Sequence, residues 1–208
     1  MSRRLLLLRH GRTAWNAEDR AQGHADIELD DAGHVQAAAV ARHLARLGID
    51  RVWSSDLTRA RQTAGYVAEA CGLTVGYDAR LREFDVGERQ GLTLDEFAER
   101  FPAEHAAWAR GEGEPRVPAG EVSTEVAARI VPALHDCLAV LDDGRTGLVV
   151  AHGASLKVAL AGLLGWPAHL AGSLRGMGNC CWATVETTVE GPGAGRVRLS
   201  GYNQNAPV

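Results

Sequence analysis

Four consecutive leucines, Leu5 to Leu8, dominate the hydrophobic pattern near the start of the chain. A run this short, with turn residues behind it, predicts a strand over residues 3–8 buried on both faces. Asp30-Asp31 then opens a helical pattern reaching about residue 47, with Val40, Leu44 and Leu47 on one stripe and Gly48 as its stop. Arg51-Val52-Trp53 predicts a short strand. Ser55 or Asp56 is placed to cap a helix on which Leu57, Ala60, Ala64, Val67 and Cys71 recur at helical spacing. Residues 74–77 predict another short strand. Residues 81–120 are loop-rich, with helical pieces near 93–100 and 103–110 and an exposed turn at Gly111-Glu112-Gly113-Glu114-Pro115.

A helix over 123–141 follows, with Val126, Ile130, Ala133, Cys137 and Leu141 inward; Pro132 within it predicts a kink or a broken first half. Residues 147–151 predict a strongly apolar strand, and Leu156, Ala159, Leu160 and Leu163 mark the helix after it. Residues 180–188 and 196–200 pair as a terminal hairpin through Gly191-Pro192-Gly193. Strands alternating with helices predict an α/β fold: a three-layer sandwich with a mostly parallel central sheet flanked by helices. The chain reads as a single domain over 1–208, with residues 81–120 as a cap insertion.

Composition narrows the class. With 208 residues, 46% hydrophobic and 23% charged, the chain is of ordinary globular make-up and long enough for one sizeable core. No apolar stretch approaches the roughly 18 residues of a membrane span. The leucine run is too short for a signal-peptide core and has no small-residue cleavage site, so the expectation is a cytoplasmic protein with no membrane partner. The net charge of −4 argues against a nucleic-acid surface. Cys71, Cys137, Cys180 and Cys181 show no CxxC spacing and are read as buried free thiols. Lys157 is the only lysine, a bias given no functional weight. His24, His34, His43, His105, His135 and His169 form no metal-binding pattern, and no P-loop or GxGxxG motif is present. The expected cofactor and metal content is none.

The chemistry concentrates in four separated segments. The first is Arg9-His10-Gly11-Arg12-Thr13-Ala14-Trp15-Asn16, directly behind the first strand. The second is Ser54-Ser55-Asp56-Leu57-Thr58-Arg59-Ala60-Arg61-Gln62-Thr63-Ala64, and the third Leu81-Arg82-Glu83-Phe84-Asp85-Val86-Gly87-Glu88-Arg89-Gln90-Gly91. The fourth is Val149-Val150-Ala151-His152-Gly153. Strand-to-helix junctions are where ligands bind in open α/β sheets. A guanidinium fork fits phosphate oxygens, and an imidazole can serve as nucleophile or proton carrier. Read alone, His10 and His152 are also compatible with satisfied polar residues, and Arg9 and Arg59 with surface cations. An arginine is expensive to bury by itself, however, so two at a sheet edge suggest a shared anion.

In order and character these four blocks resemble the histidine phosphatase (phosphoglycerate mutase-like) superfamily, whose signature is RHGxTxWN. The resemblance covers nearly the whole chain. It implies that His10 is the nucleophile, forming a phosphohistidine, and that Arg9, Arg59 and His152 bind the phosphate. It implies Glu83 as proton donor, with Asp85 and Glu88 as nearby alternatives. A carboxyl beside a phosphate dianion keeps its proton by repulsion and can protonate a leaving oxygen. The same resemblance makes Asn16 a phosphate donor and Thr13 a candidate one, puts Gln22-Gly23 on the substrate side, and has Gly153 open a helix whose amino end favours an anion.

Pro118-Ala119-Gly120-Glu121-Val122-Ser123 departs from the family's "GES" segment: Ser123 substitutes one position later, or the helix starts later. Gln90 stands where many members have Glu. The mutase branch has an ERHYG-like run and paired arginines in the insertion; this chain has Glu83-Phe84-Asp85-Val86-Gly87 and no Arg-Arg between positions 84 and 120. That favours a phosphomonoesterase for a small phosphate ester. The run Gly176-Met177-Gly178-Asn179-Cys180-Cys181-Trp182 is similar to actinobacterial members acting on sugar- and glycerate-type phosphates, such as glucosyl-3-phosphoglycerate. A phosphoglycerate mutase and a catalytically weak phospho-ligand-binding protein are the alternatives, and a homodimer is left open.

Overall fold

The computed structural model describes residues 2–112, 116–188 and 195–206. The leucine run becomes β1 (Ser2–Arg9). It is joined by β2 (Ile49–Ser54), β3 (Val75–Tyr77), β4 (Thr146–Ala151), β5 (Trp182–Thr188) and β6 (Val197–Gln204) in one six-stranded sheet, ordered β3-β2-β4-β1-β5-β6. The first four strands of that order are parallel, and β5 and β6 add antiparallel.

Both faces of β1 are covered. Leu6 and Leu8 pack with α2 (Asp31–Leu44) and α3 (Thr58–Cys71), while Leu5 and Leu7 pack with α6 (Ser123–Ala139) and α7 (Gly153–Leu163). The physical reason is the direction of the crossovers. The chain steps towards β3 through α2 and α3, then turns back through α6 and α7. Right-handed crossovers put the two sets of helices on opposite faces when the direction reverses. The expected three-layer sandwich with a mostly parallel sheet is therefore present.

The short α1 (Ala14–Ala17) follows β1. Within the excursion after β3, α4 (Leu94–Arg100) and α5 (Pro102–Ala109) lie close to the predicted helical pieces, and Pro102 occupies the first helical position. An isolated bridge between Val86 and Gly120 closes the base of this excursion.

Several local expectations are corrected. The helical run before Gly48 finishes as a 3-10 turn, Ala45–Leu47, so α2 itself ends at Leu44; Gly48 takes φ 69° and ends the element. Neither Ser55 nor Asp56 caps α3; Leu57 stands at that position, and Asp26 from another loop accepts from Thr58 N at 2.7 Å and Thr58 Oγ1 at 2.9 Å. Pro132 does not break α6, which runs continuously, its apolar stripe held against the sheet. Strand β5 begins at Trp182, because Cys180 adopts φ 54° in the preceding turn. The four cysteines are free, but only Cys137 and Cys180 are buried. The Gly191-Pro192-Gly193 turn lies outside the described residues, as do Gly113, Glu114 and Pro115.

One close approach seats the loop that follows β1. A Cβ on Gly33 would lie 2.0 Å from the Arg12 carbonyl oxygen. Asp30 draws the two together, accepting from Gly33 N at 2.7 Å and from Arg12 Nε at 2.8 Å. Gly33→Ala must push α2 away from the loop, and overpacking of this kind costs about 1–3 kcal/mol. Thermal denaturation is expected to show a lowered Tm; an unchanged Tm would mean that this contact does not seat the loop.

Candidate active site

The site is assembled by strand register. Arg9 pairs with Ala151 on β4, and Ser54 on β2 pairs with Val150. One residue further along, His10, His152 and Ser55 emerge together at the carboxyl edge of three adjacent parallel strands. Backbone bonds from His10 N to Ala151 O (3.1 Å) and from Ser55 N to Val150 O (2.9 Å) hold that edge.

The hydrogen bonds determine both tautomers. His10 Nδ1 lies 2.7 Å from the Gly11 carbonyl oxygen, which can only accept. Nδ1 therefore carries the proton, and the Nε2 lone pair is open. In His152, Nδ1 accepts from Arg59 Nε at 3.2 Å, since the guanidinium can only donate. Its proton sits on Nε2, which donates to Ser55 Oγ at 2.8 Å. The two rings stand 5.2 Å apart. Both are buried, at 3% and 0% exposure. Burial, followed by the Arg59 charge, holds each imidazole well below its ordinary titration range, so both are neutral.

Arg59 is fully buried on α3. Its other nitrogens donate to Ala25 O at 2.7 Å and Gly23 O at 2.8 Å. Burial pushes it down to about 10, with Glu83 and Asp26 opposing, and it remains a cation at neutral pH. Arg9 donates from one terminal nitrogen to Met177 O, while its buried Nε has no partner among the described residues. Burial lowers Arg9 as well, again opposed by Glu83.

Glu83 sits on the amino end of α7. Its Oε1 accepts from Ser155 N at 2.8 Å and Phe84 N at 3.0 Å, and its Oε2 from Ala154 N at 3.0 Å. The first-turn N–H groups of a helix are suited to a carboxylate. Oε2, with one donor against two on Oε1, keeps more lone-pair capacity for a proton.

Arg9, His10, Asn16, Gln22, Arg59 and Glu83 line one cavity of about 230 Å³. Gly23 lines it too, and Arg89 and Trp108 of the excursion after β3 contribute to the same wall with Arg20. The Asn16 carbonyl oxygen is occupied by Thr13 N and Asn179 Nδ2, each at 3.2 Å. Gln22 Oε1 is buried with no partner among the described residues. A larger hollow of about 470 Å³ lies at the opposite, amino-terminal edge of the sheet. It contains no histidine, and its Asp50 and Arg145 pair with each other at 2.9 Å, so the smaller cavity is the one with reactive groups.

Some expected contributors sit elsewhere. Thr13 is buried and caps α1, accepting from Asn16 N at 3.1 Å and donating to Asn16 Oδ1 at 3.2 Å. It shapes the Asn16 side chain and does not line the cavity. Gly153 packs behind Arg9, where a Cβ would come within 3.3 Å of Arg9 Nε. Asp85 accepts from Gly87 N, and Glu88 pairs with Arg100, so neither alternative acid lines the cavity. Ser123 begins α6 and Glu125 reaches back to Val122 N at 2.8 Å; Ser123 takes no capping role. Gln90 is exposed.

Other contributors escaped the sequence reading. Ser55 reads as a helix cap but accepts the His152 Nε2 proton, the tautomer being set by Arg59 on Nδ1. Asn179 donates to the His10 carbonyl oxygen at 3.1 Å from 169 residues away. His24, which the sequence marks only as outside any metal-binding pattern, lies with Nε2 2.9 Å from the Glu83 carbonyl oxygen. Of these, Asn179 alone falls in a run, Gly176 to Trp182, whose family likeness offered a signal.

A neutral imidazole with an open lone pair, beside two buried guanidinium groups, is suited to phosphoryl chemistry on an α/β scaffold. Residues 5–199 match the histidine phosphatase superfamily (branch 1), and the chain belongs to that family. It is 40% identical over 180 residues to a probable phosphoglycerate mutase of Yersinia pestis, covering 86% of this chain and 83% of that protein. Among solved structures it is similar to a mycobacterial glucosyl-3-phosphoglycerate phosphatase complexed with VO3. The TM-score is 0.86 at 36% identity, over 97% of this chain and 99% of that one. It is also similar to an Entamoeba histolytica phosphoserine phosphatase in complex with 3-phosphoglyceric acid. That TM-score is 0.82 at 26% identity, over 98% of each chain.

Proposed function

We propose that the protein is a phosphomonoesterase that hydrolyses a small sugar- or glycerate-type phosphate ester through a phosphohistidine on His10. The observation that carries this reading is the open His10 Nε2 lining one cavity with Arg9, Arg59 and the Glu83 carboxyl. The activity named for the mycobacterial relative, on glucosyl-3-phosphoglycerate, and the 3-phosphoglyceric acid bound by the Entamoeba phosphoserine phosphatase support the substrate class.

In the first step His10 Nε2 attacks phosphorus, the P–O bond to the alcohol breaks, and Glu83 Oε2 gives its proton to the leaving oxygen. The Gly11 carbonyl, already accepting from Nδ1–H, stabilises the positive ring that forms. In the second step water attacks phosphorus, Glu83 takes the proton, and the P–N bond breaks to return neutral His10. Arg9 Nε and the remaining Arg59 N–H groups offset charge on the phosphoryl oxygens. Asn16 completes the phosphate pocket, and His152 stands behind it, its Nδ1 on Arg59 and its Nε2 on Ser55 Oγ. The excursion 81–120, carried on a single domain, acts as the cap.

Among the described residues no group of three or more His, Cys, Asp or Glu is placed to hold a metal ion, and the guanidinium groups supply the cationic charge this mechanism needs. Among them, too, no helix is long and apolar enough to cross a membrane. The four free cysteines suit a reducing, cytoplasmic setting.

Phosphate release from a panel of esters tests the proposal. Turnover in the ordinary range of roughly 1–10³ s⁻¹ on at least one sugar or glycerate phosphate is expected, unchanged by chelator. The second reading, phosphoglycerate mutase, is favoured by the name of the curated relatives. Interconversion of 2- and 3-phosphoglycerate without phosphate release would establish it instead. No turnover on any ester would leave a phospho-ligand-binding protein.

A further inference from the structure

Among the described residues no strand of the sheet pairs with the segment carrying Glu83, so its carbonyl groups must find partners elsewhere. Most of them come from a single side chain. Arg129 on α6 donates from one terminal nitrogen to Arg80 O at 2.9 Å and Arg82 O at 2.8 Å. The other terminal nitrogen donates to Glu83 O at 2.6 Å and Glu121 Oε2 at 2.8 Å, and Nε donates to Glu121 Oε1 at 2.9 Å. A guanidinium has five N–H donors, and each has a partner here. Glu121 in turn accepts from Asp85 N at 2.8 Å, two residues past Glu83. The backbone from Arg80 to Asp85 is thereby tied to α6 as one unit. Arg129 does not line the cavity.

We propose that Arg129 is a positioning residue for proton transfer, holding the 80–85 segment so that the Glu83 carboxyl stays seated on the amino end of α7. This inference rests on the reading of Glu83 as proton donor. Displacement of a reacting group by about 1 Å can cost on the order of 10²-fold in rate. A lysine keeps the charge but has a single nitrogen with three donors, and it cannot reproduce a planar five-bond pattern.

The test compares Arg129→Lys and Arg129→Ala with Glu83→Gln on an alkyl phosphate and on p-nitrophenyl phosphate. Tm and inorganic phosphate binding are measured on each. Alkyl phosphates need a proton on a poor leaving group, whereas p-nitrophenolate does not. Arg129→Lys is expected to lower kcat on the alkyl ester by roughly 10–100-fold. On the aryl ester it should change kcat by less than about threefold, with phosphate affinity retained. Adding Arg129→Lys to Glu83→Gln should produce little further loss on the alkyl ester.

Equal losses on both esters, or additive losses in the double variant, would assign Arg129 to general stability and overturn the inference. If Glu83→Gln itself fails to discriminate between esters, the proton-donor reading falls and this inference with it. A discriminating Glu83→Gln beside a non-discriminating Arg129→Lys overturns the inference alone. Should Arg129→Ala fail to fold, Arg129→Lys and Glu121→Gln carry the same comparison.

Discussion

His10→Ala is expected to lower turnover by roughly 10⁴–10⁶-fold, about 5–8 kcal/mol of barrier, while the fold persists. The His10 ring makes one hydrogen bond, to the neighbouring Gly11 carbonyl, so its removal leaves no distant polar group stranded. Labelled substrate followed by an acid-free quench should show an acid-labile phosphoryl group on the wild-type chain and none on the variant. Labelling that persists in His10→Ala would move the nucleophile to another residue.

The same variant has a pH signature. His10 and His152 are both held below their unfolded value of about 6.5. Unfolding therefore takes up protons at these rings below about pH 6.5, and stability falls as pH drops through that region. Each ring contributes a slope of about 1.4 kcal/mol per pH unit there. His10→Ala removes one of the two contributions, so its stability is expected to depend less steeply on acid. A slope identical to that of the wild type would mean that His10 is not buried as a neutral ring.

The second large effect is selective. Glu83→Gln is expected to reduce hydrolysis of alkyl phosphates by about 10²–10⁴-fold, the usual contribution of general acid–base catalysis. Hydrolysis of p-nitrophenyl phosphate should fall far less, because the phenolate leaves without a proton. The acid-side pH dependence of the alkyl reaction should flatten. The substitution is not silent structurally, since the new amide –NH2 faces either Ala154 N–H or the donors now on Oε1. That mismatch costs about 1–3 kcal/mol of stability, read from denaturation and independent of the leaving group. Equal losses on both ester classes would remove the acid role from Glu83 and turn attention to His152.

Much of this architecture is legible from local pattern. The leucine run, the stripe through Val40 and Leu44, and the stripe from Val126 to Cys137 each correspond to an observed element, because burial against a sheet imposes those periods directly. Even the cap helices are marked, by Thr93 and Glu96 as a capping box and by Pro102 as a helix start. Pro132 misleads, since a proline weighs locally but α6 is held by its whole buried face. Thr13 misleads differently. A hydroxyl next to a catalytic segment reads as a ligand donor, yet the three-residue spacing to Asn16 makes it a helix cap.

The sequence by itself determined which elements form, their order, and the residues suited to phosphoryl chemistry behind three strands and in one loop. It could do so because periodicity, capping and residue chemistry act over a few positions. Only the tertiary structure decided the rest. The register of β1, β4 and β2 brought Ser55 to His152 Nε2, and the packing of α3 brought Arg59 to its Nδ1 and thereby set the ring's proton. The packing of α6 placed Arg129 under the Glu83 segment, and the turn before β5 placed Asn179 against His10. Desolvation is likewise a property of the packed whole: it keeps both histidines neutral and lowers Arg59, and no spacing along the chain encodes how completely a group is removed from water.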